Sequence, residues 1–221
     1  MPGRNQPLIT SEIYHVFNRG IDRRTTFTSK AEYTRALKAI TFYSFASRAI
    51  RLSWFLNLTN ERQKEVFDTL IASERTVSVI CFCLMPNHFH FLLKQENEVG
   101  ISKYLSDFQN SYTRYFNINH NRTGPLFMDQ FKAVRIESEQ QLIHVSRYIH
   151  LNPYSGFLTK NLTELENYPW SSFKNYLLQE NLAEYKIILD LFSSKDKYKS
   201  FVLDQADYQR KLKRIEHLTL E

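Results

Sequence analysis

Cysteine is nearly missing from this chain, glycine and proline are scarce, and no apolar run is long enough to cross a bilayer. The two cysteines, Cys81 and Cys83, stand one residue apart. Such close neighbours on one strand are poor disulfide partners, so a reducing, cytoplasmic setting is expected. The opening MPGRNQPLITSE lacks the apolar core of a secretion signal. Without a run of membrane length, no membrane partner is expected either. Five glycines and six prolines among 221 residues exclude a linker-rich or low-complexity protein. No internal repeat is apparent.

Two features stand out against these absences. Lysine and arginine number 29 against 23 acidic residues, a formal charge of +6, and aromatics make up 14% of the chain. That pairing suits nucleic acid, whose phosphates take the charge while rings take bases.

The apolar pattern predicts the order β-α-β-β-α-β followed by a helix. Ile13 to Asn18 reads as a strand. Ser29 and Glu32 stand at capping-box spacing at the start of a helix, with Leu37 and Ile40 as core contacts. Asn60 to Ser73 reads as a helix in a charged insertion. Val77 to Met85 and His88 to Lys94 flank Met-Pro-Asn as a hairpin. Gly100 to about Asn117 carries apolar residues at the helical period, and Phe131 to Ile136 alternates like a strand. Ser138 and Gln141 cap a final helix, which Pro153 is expected to stop. This is the ferredoxin-like α+β arrangement, an antiparallel sheet with helices on one side, plus a C-terminal helical extension. The expected division is a catalytic domain over residues 1–160 and the extension over residues 161–221, ending in the basic run RKLKRIEH.

The most informative motif is His88-Phe89-His90. Residues two apart on a strand point to one face, so both imidazoles aim into one small volume and form half of a divalent-metal site. On the last helix Tyr148 and Asn152 are four apart, hence on one face. A phenol, with pKa ~10, needs help to act as a nucleophile, and a nearby metal would supply it. Asn152 offers an amide oxygen suited to Mg²⁺ or Mn²⁺. Tyr112 and Tyr115 are rival nucleophiles, and His144 and His150 read as solvated helix histidines. Zinc held by Cys81, Cys83, His88 and His90 is the competing metal reading. It depends on the hairpin register: with Leu84 opposite His88 the cysteines face away, and one slip reverses that.

The pieces YHVFNRG, MPNHFHFLL, RTGPLFMDQFKAVRI, YIHLNP and YPWSSFKNY, in this order, resemble the REP-associated tyrosine transposases, single-tyrosine HUH enzymes related to single-strand insertion-sequence transposases. The resemblance covers most of residues 13–176. It implies Tyr148 as the nucleophile, with Asn152 one turn later. It implies cleavage of single-stranded DNA beside a hairpin, at a REP-like sequence or an insertion-sequence end, through a 5′-phosphotyrosine link. It also implies a homodimer. His150 stands where relatives often carry an aromatic or other residue. Arg19, Arg23, Arg24, Lys132 and Arg135 are the expected phosphate-tracking residues. A relative that grips hairpin DNA or RNA without cutting it is the alternative.

Overall fold

The computed structural model describes residues 7–46, 48–179 and 182–219, with side chains reaching Arg214, so the side chains of the last three residues of the basic run RKLKRIEH lie outside the description. Four strands form an antiparallel sheet: β1 (Ile13–Arg19), β2 (Val77–Met85), β3 (His88–Gln95) and β4 (Lys132–Arg135). Their order across the sheet is β2-β3-β1-β4. This is the predicted ferredoxin-like arrangement.

Strand alternation divides the sheet into two apolar layers. Tyr14, Val16, Phe89, Phe91 and Leu93 face one side. There they meet α1 (Lys30–Tyr43) and α4 (Gly100–Asn119) through Ile40, Phe108 and Tyr112. Ser29 accepts from the Glu32 amide at 3.3 Å, as the capping box requires, although the Glu32 carboxylate reaches back to the Thr28 amide at 2.6 Å. Between α1 and β2 the insertion folds into α2 (Leu52–Phe55) and α3 (Asn60–Ile71).

Cys81, Cys83 and Leu92 face the other side, where α5 (Glu139–Ser155) lies. Around α5 pack α6 (Leu162–Glu166), α7 (Phe173–Leu178), α8 (Lys186–Leu189), α9 (Lys195–Leu203) and α10 (Ala206–Thr219). One apolar cluster joins Ile149 and Leu151 of α5 to Phe173, Tyr176 and Tyr198 of the extension. Helices therefore cover both faces of the sheet.

Pro153 does not stop α5, which runs two residues further. Proline removes one backbone donor, and so close to the end the loss is small. Gly156 closes the last turn by donating to the Asn152 carbonyl at 2.8 Å. The β2 edge is covered as well: Leu84 N donates to Trp170 O at 2.8 Å and Ser172 N to Phe82 O at 3.0 Å.

Candidate active site

The hairpin turn at Pro86-Asn87 sets the register of everything that follows. Met85 faces His88 and Cys83 faces His90. This is the slipped register, so the cysteines share the histidine face. They do not join the histidines as ligands, however. Both thiols are fully buried beside α5, burial pushes both well above their usual range, and Cys83 Sγ contacts Met85 Sδ at 3.7 Å. Among the described residues no three His, Cys, Asp or Glu side chains are grouped to hold a metal. The zinc reading finds no support in this geometry.

The imidazoles of His88 and His90 stand edge to face, ring centroids 5.1 Å apart. Their outer nitrogens are engaged. Asn87 donates its Nδ2 to the Arg23 carbonyl at 3.3 Å, which turns its Oδ1 toward His88 Nδ1 at 2.6 Å. An amide oxygen only accepts, so His88 carries its proton on Nδ1 and leaves the lone pair on Nε2. His90 Nδ1 meets His15 Nε2 at 3.0 Å. Donation from His90 to His15 leaves His90 Nε2 equally open. The remaining nitrogen of each ring then keeps its lone pair, and a hydrogen bond behind it fixes the ring's orientation.

Burial keeps these rings neutral. It lowers His88 and His15 to about 4 each and His90 well below its usual range. The charge of Lys213, from α10, adds to the depression at His88 and His90. Neutral imidazole is the form that binds metal.

Tyr148 comes to this cluster from α5. Its ring lies edge-on to His90 at 5.5 Å and to His15 at 5.9 Å, and its side chain is 38% exposed. The phenol and the histidine pair therefore share one side of the sheet. Asn152, one turn later, turns its Nδ2 back to the Tyr148 carbonyl at 3.0 Å and keeps Oδ1 as an acceptor. The rival Tyr112 is fully buried and donates to the Thr26 carbonyl at 2.6 Å.

The expected phosphate contacts separate in space. Arg19 pairs with His88 across the strands and so belongs to the histidine face. Lys132 is on that face too, 6.0 Å from the centroid of the Phe17 ring. Arg135, three residues on, falls on the opposite face and is clamped by Glu12 at 2.7 and 3.1 Å. Strand alternation separates what the sequence reading had placed together. Arg24 bends back to the Ile21 carbonyl at 3.1 Å. Arg23 is exposed, and its left-handed backbone (φ 55°) presents the carbonyl that Asn87 uses.

Two members escaped the sequence reading. His15 had a signal, since IYHVFN alternates and places it with Phe17 on one face. Lys213 had none, because it arrives by helix packing. His150 is the reverse case: it is fully buried, not solvated.

A family model described as "Transposase IS200 like" matches residues 45–152, a stretch holding His88, His90, Tyr148 and Asn152. Over this stretch, just under half of its length, the chain is similar to the IS200-like transposases. A solved structure of a REP-associated tyrosine transposase bound to a REP hairpin superposes on this chain with a TM-score of 0.54. Identity is 14%, over 81% of this chain and 87% of that one. That likeness shows a common fold. No curated protein matches the chain. His15 and Arg19 lie on β1, outside the matched stretch.

Proposed function

We propose that this chain is an IS200-like transposase, a divalent-metal-dependent endonuclease and strand transferase of single-stranded DNA with Tyr148 as its nucleophile. The observation that carries the reading is the edge-on approach of the Tyr148 ring to His90 at 5.5 Å. It sets a phenol beside two neutral imidazoles whose Nε2 atoms remain for a ligand.

The donor set suits Mn²⁺ or Mg²⁺, which the imidazole nitrogens of His88 and His90 and the Asn152 amide oxygen would hold. Such an ion supplies charge stabilisation to the phosphate under attack. The chain's residues do the rest. His15 and Asn87 hold the two rings, and Asn152 ties its amide to the Tyr148 turn of α5. Arg19 and Lys132 give the same face positive charge for the incoming strand. The Tyr148 oxygen bonds to phosphorus, the phosphorus–O3′ bond breaks, and the 3′-oxygen leaves as a hydroxyl, taking up a proton. The phenol proton passes to water. Rejoining reverses these steps.

The hairpin in the similar solved structure supports a hairpin-flanked substrate, REP-like or at an insertion-sequence end, and with it the REP-associated subgroup. A homodimer and a cytoplasmic location belong to the same proposal; among the described residues no helix is long and apolar enough to cross a membrane. The test is a suicide assay on a hairpin oligonucleotide with a single-stranded flank. The wild type should form a covalent protein–DNA adduct only with Mn²⁺ or Mg²⁺. Tyr148→Phe should form none. An adduct from that variant removes Tyr148 from the role, and hairpin binding without any wild-type adduct favours the non-cutting alternative.

A further inference from the structure

Behind the sheet, on the side away from Tyr148, the insertion closes a cavity of about 1240 Å³ between α1, α4 and α2. Lys30, Arg35 and Lys38 line it from α1, Arg51 from the insertion, and Arg114 and Lys103 from α4. Arg48 lines it too, held by the Tyr43 and Phe45 carbonyls and paired with Asp107. Asp107 also takes Lys103 at 3.0 Å and is the cavity's one carboxylate. Seven cations against one carboxylate equals the +6 of the entire chain. The remainder of the molecule is therefore close to neutral, and the excess is concentrated here.

Two further observations set this cavity apart from an ordinary solvated face. Among the described residues, Lys30, Lys38, Arg51 and Arg114 enter no ion pair with a carboxylate, although charged surfaces usually intersperse signs. Arg35 is only 8% exposed, and its guanidinium bonds to Ser111 Oγ at 3.3 Å while its Nε has no partner among the described residues. A buried cation with an unpaired donor costs stability until an anion or a water meets it, and the Tyr115 ring, its centroid 5.4 Å from Arg35 Cζ, is a second neighbour. At the rim, Trp54 is 68% exposed beside Leu52, which anchors α2 in the core. A large indole left in water next to unpaired cations is the combination that single strands use, phosphates on the cations and a base on the ring.

We propose that this cavity binds a single-stranded DNA segment, its phosphates on Lys38, Arg35, Arg51 and Arg114 and an unpaired base stacked on Trp54. The inference rests on the DNA-processing reading above and adds a second DNA site on the far side of the sheet. The strand cut at Tyr148 would be gripped again here, by backbone and base face, without regard to sequence.

The experiment is fluorescence anisotropy on the full chain carrying Tyr148→Phe, so that binding is read without cleavage. The probe is a fluorescein-labelled oligothymidine of about 16 nucleotides. Trp54→Ala should weaken binding about fivefold or more. Lys38→Glu with Arg114→Glu should weaken it further and flatten the salt dependence by about 1.4 in log–log slope, two phosphates at 0.7 each. All three positions are exposed, so thermal melts should match the parent. Unchanged affinity and slope in these variants would overturn the proposal. So would tighter binding of a blunt duplex, or of oligouridine, than of oligothymidine. The two proposals separate cleanly: adduct formation by the wild type with no groove effect ends only this one, while groove binding with no wild-type adduct ends only the cutting reading.

Discussion

At the scale of single residues, His15 is the most instructive. It bonds to His90 and touches Tyr148, yet needs no place in the metal's own ligand set. Under the metal-dependent reading proposed above, it is a positioning residue that fixes the tautomer and orientation of His90. Loss of such a partner typically lowers metal affinity 10–100-fold. His15→Ala should therefore bind Mn²⁺ about 10- to 100-fold more weakly by calorimetry, and His15→Gln should recover part of that loss. An unchanged Mn²⁺ affinity in His15→Ala would remove it from the site. The His88 and His90 pair was legible because two-residue spacing on a strand leaves no choice of face. Lys213 was illegible because nothing local connects a residue of the last helix to β3.

Among the elements, α5 joins the two parts of the chain. One side carries Tyr148 to the histidines and the other carries His150 into the extension. His150 Nε2 lies 2.8 Å from Ser172 Oγ and Nδ1 lies 2.7 Å from Tyr198. Ser172 in turn accepts from the Phe82 amide at 2.8 Å. The imidazole thus links α5, α9, the start of α7 and β2. His150→Ala should cost about 2–4 kcal/mol in urea unfolding, from the cavity and the orphaned hydroxyls. Burial holds His150 at about 3, whereas the unfolded chain titrates near 6.5. Between those values the unfolded state takes up a proton that the folded state refuses. Its contribution is complete above pH 6.5 and falls away as the pH drops toward 3. Wild type should lose stability faster than His150→Ala across pH 6.5 to 4; parallel curves would refute the assignment. Helix α5 also shows where sequence reading fell short. Its start was legible from Ser138 and Gln141, which bond as expected at 3.1 Å. Its end was not, because the last-turn bonds around Pro153 depend on Gly156 and on the chain folding back.

Across the whole molecule, the element order and sheet topology were legible, since periodicity switches between 2 and 3.6 at each boundary. The covering of both sheet faces was not, because the short apolar pieces after residue 160 show no long period. The charge excess was visible as a number, but its location depended on how the insertion folds over α1 and α4.

One margin of the sheet is sealed by residues 170–172 lying along β2. The other, β4, has four residues and leaves Val134 51% exposed. Ile136 N bonds to Ile13 O at 2.8 Å, and alternation then turns the amides of Ala133 and Arg135 outward. Among the described residues, a homodimer that assembles by continuing the sheet has this single docking line. Ala133→Pro would silence one of its two outward donors without touching the inner ladder. Sedimentation should then find monomers where the wild type pairs, and a dimer that survives the substitution must meet through helices instead. Among the described residues one flank of the sheet is closed and one is open, so two copies growing edge to edge would stop at two.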